Sequence, residues 1–368
     1  MLELLQTIAQ GADSWVEVRY HARRSKQIRM RNGRLEESSS SEIAGVGVRV
    51  LVDGVFGFAS TTDTTRDGIL RSVQDAQQAA RTASSSKKER IEKLAPIPAT
   101  AGAYGFDIDD PLEDHSLEEK LELVRRIEGR ISTADARIVS STSSYAEIID
   151  EKIIATSDGV AVHLLQSRPE FRTMATAQEN GEQTMGMDSV GVNGGWSDLF
   201  AKRNPEQMAD HTVRMAVDQL SAPFPEGEQA TVVLDPGLVG VLAHEAIGHT
   251  VEADLVLGGA ITMGKIGEQV ASPIVTLCDS GLSEHMPHAV GTLPVDDEGV
   301  PAQRTVLIDQ GILRSFLHDR ETAAHFDVAP TGNARAWEFS YQPLIRMRNT
   351  YVDQVETPLE EMFGGVKN

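Results

Sequence analysis

The stretch from residue 231 to residue 254, TVVLDPGLVGVLAHEAIGHTVEAD, carries the strongest structural signals in the chain. The β-branched run at 231–234 is typical of a buried strand. Asp235 then offers an N-cap carboxylate, and Pro236 stands at the first helical position, where proline is tolerated. We therefore predict a strand followed by a largely apolar helix.

Two histidines and a glutamate interrupt this apolar helix, at His244, Glu245 and His249. They form the pattern HExxxH, whereas the familiar zinc-hydrolase helix carries HExxH. Five residues advance an α-helix by about 500°, which leaves the two rings roughly 140° apart around its axis. Two ligands of one metal ion therefore require a π-bulge or a break, and Gly248 would permit either. We predict an irregular turn at 247–249 and a metal site; the alternative is that these are ordinary polar groups of a helix.

Several further segments support one family resemblance. The sequence HEAIGHTVEAD at 244–254 resembles the metal-binding segment of the TldD/PmbA family, the modulator of DNA gyrase metallopeptidases. Matching segments downstream are GKIGEQVAS at 264–272, DDEG at 296–299, GIL at 311–313, PTGN at 330–333 and RMRNTY at 346–351. Upstream, RVLVDG at 49–54 and GFAS at 57–60 are similar to the family's N-terminal signature. The resemblance covers essentially the whole chain, and HExxxH places it on the catalytic, TldD-like branch.

The resemblance implies a zinc-dependent metallopeptidase. Catalytic zinc keeps three protein ligands and one water, and His244 and His249 would supply two of the ligands. Glu245 would take a proton from the water and pass it to the leaving amine. In the family the third ligand is a cysteine near the C-terminus, in a Gly-Thr-Cys-Gly-like segment. This chain ends at Asn368 before any such segment, so we expect either a C-terminally truncated family domain or an incomplete site. With two histidines alone, metal binding would be weak.

Other residues are weaker candidates for the third ligand. Cys278 does not match the position of the family cysteine, and we expect it to be a buried packing thiol. Glu252, His285 and His288 could substitute as ligands. The sequence therefore leaves the third ligand unassigned.

Substrate and partner are implied by the resemblance alone. Family members act on unfolded or short peptides, and we expect a homo- or heterodimer with a TldD/PmbA-family partner subunit. Strand addition to an exposed sheet edge would bind such peptides with little dependence on sequence; the substrate-binding residues are not identified. The alternative function is a non-catalytic peptide-binding or scaffolding subunit with an incomplete metal shell.

Composition narrows the class of protein. The 368 residues are 40% hydrophobic and 24% charged, with a net charge of −21, which argues against direct binding to nucleic acid. The single cysteine, Cys278, excludes an intrachain disulfide and is compatible with a cytoplasmic location. The N-terminus lacks the pattern of a signal peptide, and no apolar stretch is long enough to span a membrane.

The order of elements predicts an α+β fold. We expect an N-terminal region at 1–221, with sub-units at about 1–84 and 111–221 joined by a linker at 85–110. A C-terminal metallopeptidase domain at 222–368, incomplete at its C-terminus, would follow. The predicted helices are 1–12, 64–83, a helix opened by the capping box at 116–119, and 205–221. The predicted strands are a meander over 15–60, then 137–142, 145–150, 153–157, 160–167, 171–178, 274–278, 305–308 and 312–316, with a glycine-rich loop at 186–196.

Three further sets of polar residues have structural explanations that we prefer. His163 lies in a predicted strand and reads as a satisfied or exposed strand histidine. The loop at 280–299 holds His285, His288 and the acidic run 296–298, and we favour an acidic surface loop over a metal site. One of Arg335, Arg346 and Arg348 could contact a peptide carboxylate or carbonyl, although solvated or ion-paired arginines are the default.

Overall fold

The fold is seen in a computed structural model that describes residues 1–354, apart from 88, 225, 226, 228, 230 and 283, together with residue 361. It is an α+β protein, as the sequence predicts. A long, mostly antiparallel sheet with helices on one face forms the N-terminal region, and a smaller sheet with short helices forms the C-terminal region.

Seven strands form the N-terminal sheet in the order β3-β2-β1-β5-β6-β4, with β7 also paired to β6. These strands are β1 (Trp15–Arg31), β2 (Arg34–Val52), β3 (Val55–Thr61), β4 (Ala101–Tyr104), β5 (Ile138–Thr156), β6 (Ala161–Glu179) and β7 (Glu182–Gly191). The two-residue turns Asn32-Gly33 and Asp53-Gly54 connect β1, β2 and β3, and all four turn residues have positive φ. Since β1 pairs with β5, both predicted N-terminal sub-units contribute to one sheet; where the domains divide stays a prediction.

Five helices accompany this sheet and bury one of its faces. They are α1 (Leu2–Gln10), α2 (Arg66–Ser84), α3 (Leu117–Thr133), α4 (Trp196–Leu199) and α5 (Pro205–Gln219), with a 3-10 turn at Leu112–Asp114. The first two pack on a core that includes Val18 and Val48, and α3 and α5 pack on a core that includes Tyr145 and Phe171. The predicted capping box of α3 is present, because Ser116 and Glu119 bond reciprocally.

The C-terminal region holds shorter elements. Its strands are β8 (Leu277–Ser280), β9 (Arg304–Asp309), β10 (Ile312–Leu313), β11 (Ala334–Arg335), β12 (Leu344–Ile345) and β13 (Asn349–Val352). Strands β10, β9, β8 and β13 form a four-stranded sheet, and β11 pairs with β12. The helices are α6 (Pro236–Ala243), α7 (Ala253–Leu257) and α8 (Arg320–Phe326). A π-helical turn (His244–Gly248) and a 3-10 turn (His249–Val251) separate α6 from α7.

The other face of the N-terminal sheet packs on the C-terminal region through buried ion pairs. Arg19 of β1 contacts Asp297 at 3.2 Å, and Lys152 of β5 contacts the same carboxylate at 2.8 Å. Arg49 of β2 contacts Glu298 at 2.5 Å. Because these side chains are buried, their charges require partners, and the partners come from the opposite region.

Five local predictions differ from the structure. Residues 231–234 form no strand and are exposed, since no described strand pairs with them. The five strands predicted over 137–178 are two long strands, β5 and β6. The predicted loop at 186–196 begins inside β7, and the linker at 85–110 contains β4, which pairs with β6. The strand predicted at 274–278 begins only at Leu277.

No helix in the described part of the chain is both long enough and apolar enough to cross a membrane.

Candidate metal centre and adjoining cleft

The helix that carries the HExxxH pattern changes its winding at the first histidine. Asp235 caps α6 by accepting hydrogen bonds from the N–H groups of Gly237 and Leu238. The N–H of His249 then donates to the carbonyl of His244, five residues earlier, which is the hydrogen bond of a π-helix. The predicted irregular turn is confirmed, although it begins at His244 rather than at 247.

This π turn brings the two histidine rings together. The ring centroids of His244 and His249 are 4.9 Å apart, and the rings are nearly perpendicular, at 85°. An undisturbed α-helix would point them in different directions. The backbone therefore meets the first geometric requirement of a shared metal ion.

Gly248 is needed here for a reason that the sequence did not reveal. Its φ and ψ are both −52°, an ordinary helical conformation that any residue adopts. A Cβ at this position, however, would lie 1.9 Å from the Sδ of Met347, which is buried. The glycine thus serves close packing against Met347 rather than backbone freedom.

Glu252 orients the second histidine. Its Oε2 lies 3.0 Å from the Nδ1 of His249, and the carboxylate is buried. With Nδ1 engaged, the Nε2 of His249 is left to bind a metal ion, the arrangement that carboxylate–histidine pairs impose in metal sites. The other oxygen of Glu252 is buried and has no hydrogen-bond partner among the described residues. Glu252, considered as a metal ligand from sequence, is instead engaged with the ring of His249.

Glu245 stands between the two histidines in sequence and is exposed. Among the described residues it makes no hydrogen bond or ion pair. His244 is half-buried and lines a cleft.

This cleft, the His244 cleft, has a volume of about 530 Å³, within the usual range of small-ligand sites. It lies between α6, β13, the end of β11 and the segment 284–291, with Leu282 beside them. Its charged and aromatic lining residues are Arg168, His244, Glu284, His285, Arg335, Arg348 and Tyr351. Arg168 comes from β6, far away in sequence, and no sequence signal pointed to it.

The other histidines and the cysteine have structural partners. His285 lines the cleft and stacks edge-on against Tyr351. His288 lies elsewhere, 3.2 Å from the carbonyl of Asn193. His163 lies 2.7 Å from Glu151, as expected for a satisfied strand histidine. Cys278 is buried in β8, and burial raises the pKa of its thiol to about 11, which confirms a packing thiol.

The acidic run 296–298 is buried, which corrects the prediction of an acidic surface loop. Burial raises the pKa of the Asp296 and Glu298 carboxyl groups above their ordinary values. The pKa of Asp297 is instead lowered to about 2, because Lys152 and Arg19 outweigh the effect of its burial. These residues therefore have a structural role, as we preferred over a metal site, but the role is to join the N-terminal sheet to the C-terminal region.

The residues at the π turn fit part of a metal shell. Two imidazoles meet, and a buried carboxylate orients one of them, as a zinc ligand pair requires. Within the described residues, no group of three or more histidine, cysteine or acidic side chains is close enough to hold a metal ion. The structure therefore assigns no third ligand.

Comparison with known families covers nearly the whole chain. Three family models match: PmbA/TldA metallopeptidase domain 1 at residues 16–80, the central domain at 110–220 and the C-terminal domain at 227–368. The class defined by this fold and by a histidine-rich turn is that of metallopeptidases of the PmbA/TldD type. The chain belongs to the PmbA/TldD metallopeptidase family.

Individual relatives agree with this assignment. The chain is similar to a metalloprotease of Methanocaldococcus jannaschii, with 33% identity over 100% of this chain and 79% of the relative. It is 25% identical to a zinc metalloprotease TldD homolog of Saccharolobus solfataricus, again over 100% of this chain and 79% of the relative. The solved structure of TldE from Thermococcus kodakarensis shares the fold, with a TM-score of 0.75, 18% identity, and coverage of 99% of this chain and 80% of that one.

Proposed function

We propose that this protein is a zinc-dependent metallopeptidase that hydrolyses unfolded or short peptides. The observation that supports this most directly is the π turn, which brings His244 and His249 to one place with Glu245 between them in sequence. A relative named as a zinc metalloprotease supports zinc as the metal. The cleft beside His244 supplies room for a peptide segment.

In this proposal His244 and His249 hold the zinc ion, and Glu252 fixes the ring orientation of His249. Bound zinc supplies polarisation of the scissile carbonyl and a lowered pKa for the attacking water. The Glu245 carboxylate would accept a proton from the attacking water and return it to the leaving nitrogen. Its exposure and lack of a partner within the described residues leave it available for both transfers.

Zinc content and peptide cleavage test this proposal. The purified protein should bind zinc and cleave a fluorescently labelled, unstructured peptide of mixed sequence. Glu245→Gln should retain zinc but lower kcat by about 10²-fold or more, since it removes the proton acceptor. His244→Ala should lose zinc. As a matched control, Glu268→Gln alters an exposed carboxylate of the same region and should change neither property.

The second candidate is a non-catalytic subunit that binds peptides. It is favoured by the absence of a third metal donor near His244 and His249 among the described residues. Peptide binding without zinc and without cleavage would support this candidate and contradict the peptidase.

We also propose that the protein forms a homodimer or pairs with a second TldD/PmbA-family subunit, in the cytoplasm. The support is a set of exposed apolar side chains at the start of the C-terminal region: Val232, Leu238, Val241, Leu242, Ile261 and Met263. Exposed apolar surface of this kind is typical of protein interfaces. Sedimentation velocity should show twice the 39.9 kDa chain mass or a complex with a co-expressed relative; a monomer under both conditions would contradict the pairing.

A further inference from the structure

Arg335 is held firmly at the wall of the His244 cleft. It is the second residue of β11 and pairs in register with Leu344 of β12. The backbone on either side is anchored to buried carboxylates, because the N–H of Ala334 donates to Asp296 and the N–H of Ala336 donates to Asp297. The side chain is half-buried and lines the cleft.

Within the described part of the chain, no carboxylate forms an ion pair with this arginine. Among the described residues, Arg335 makes no side-chain hydrogen bond and no ion pair. The neighbouring acidic groups are committed elsewhere, since Asp297 is bound by Arg19 and Lys152. Glu284 also lines the cleft, but it is exposed and accepts a hydrogen bond from Ser280.

A second arginine of the cleft is only partly neutralised. Arg168 contacts Asp150, but His21 and Arg23 contact the same carboxylate. The Nε of Arg168 is buried without a partner among the described residues. Burial, followed by the charge of Arg168, lowers the pKa of Arg335, so the two cations act on each other.

The arginines of the cleft contrast with the overall charge of the molecule. The chain carries a net charge of −21, so an anionic ligand is repelled by most of its surface. Half-buried arginines without partners are costly to a protein unless a ligand pairs with them. Arginine binds carboxylates in a fixed, two-pronged geometry, which suits a carboxylate of a peptide.

We propose that Arg335, with Arg168 beside it, binds a carboxylate of the substrate peptide in the His244 cleft. The inference rests on the proposed peptidase function and adds a substrate preference to it. A cube of about 530 Å³ has an edge of about 8 Å, which is about two extended residues. The carboxylate thus lies within about two residues of the bond held near His244, and it is either the free C-terminus or an acidic side chain.

Equilibrium binding of labelled peptides to the Glu245→Gln variant tests this without turnover. One peptide pair has a C-terminal carboxylate or carboxamide, and a second pair has an internal Glu or Gln. The carboxylate member of at least one pair should bind about tenfold more tightly, the typical effect of a hydrogen bond to a charged group. Adding Arg335→Gln should abolish this preference, whereas Arg335→Lys should retain part of it. The pair that responds identifies the source of the carboxylate.

Arg125→Gln is the matched control, since it removes the same charge from an exposed position on α3 and should leave the preference intact. Each measurement is repeated after metal removal by a chelator, because a bound metal could itself hold a carboxylate. A preference that depends on the metal but survives Arg335→Gln overturns the proposal, as does the absence of preference in both pairs. If Arg335→Gln fails to fold by circular dichroism, Arg335→Lys decides, and an undiminished preference in that variant overturns the proposal.

The carboxylate site and the peptidase function are tested by different outcomes. If the carboxylate preference depends on Arg335 but the protein cleaves no peptide, the carboxylate site is retained and the peptidase function is rejected. If the protein cleaves peptides but shows no carboxylate preference, the peptidase function is retained and the carboxylate site is rejected.

Discussion

At the scale of single residues, Gly248 shows how packing decides which side chain is tolerated beside the histidines. Gly248→Ala would place a Cβ 1.9 Å from the Sδ and 3.3 Å from the Cγ of Met347. Met347 is buried beside the His244 cleft, and its side chain must shift to make room for the new methyl group. We expect a loss of about 1–3 kcal/mol in the free energy of unfolding, the usual cost of an overpacked core. Urea denaturation measures it, and zinc affinity should fall as the turn shifts.

Gly240→Ala is the control on the same helical run. Nothing lies within 4 Å of a Cβ at Gly240, which is part of α6. Alanine is the better helix former by up to about 1 kcal/mol, so this variant should be as stable as the parent or more stable. Equal destabilisation by both substitutions would show that contact with Met347 does not explain the need for glycine at position 248.

At the scale of elements, the irregular turn in the helical run after Asp235 was predictable from the sequence. The five-residue spacing of His244 and His249 admits a shared ligand only if the helix widens, and the structure contains that π turn. The strand predicted at 231–234 failed although its residues favour strands. Strand propensity has no effect without a neighbouring strand to complete the hydrogen bonds, and no described strand lies beside this segment.

The long strands of the N-terminal sheet were also mispredicted from local sequence. Here the sequence pattern indicated several short strands where the structure has long ones. Polar residues such as Lys152 made β5 read as three short strands. The strand is continuous because Lys152 is buried against Asp297, a residue 145 positions away. A local pattern cannot register such a partner. For the same reason the sequence identified His244, Glu245 and His249 but not Arg168, which reaches the cleft from β6.

At the scale of the whole molecule, buried ion pairs join the N-terminal sheet to the C-terminal region. Arg49 lies between two buried carboxylates, Glu17 of its own sheet at 2.7 Å and Glu298 of the other region at 2.5 Å. Such pairs add little net stability compared with apolar packing, but removing one member leaves charges buried without compensation. The two regions should therefore unfold together, and the interface should be sensitive to loss of this single arginine.

We predict that Arg49→Met lowers the free energy of unfolding by about 3–5 kcal/mol at pH 7. Burial already raises the pKa of Glu17 and Glu298 above the ordinary 4.5, and loss of the arginine raises both further. A carboxyl group with a raised folded-state pKa loses stability as pH increases from its unfolded to its folded value. The deficit should therefore shrink as pH falls toward about 4.5, where both carboxyl groups become protonated on folding. Urea denaturation at pH 7 and pH 5 measures the difference.

Arg71→Met, which removes an exposed partner of Asp63, should cost less than about 1 kcal/mol at either pH. A deficit for Arg49→Met that is equally small, or that grows in acid, would contradict the role of these ion pairs in joining the two regions.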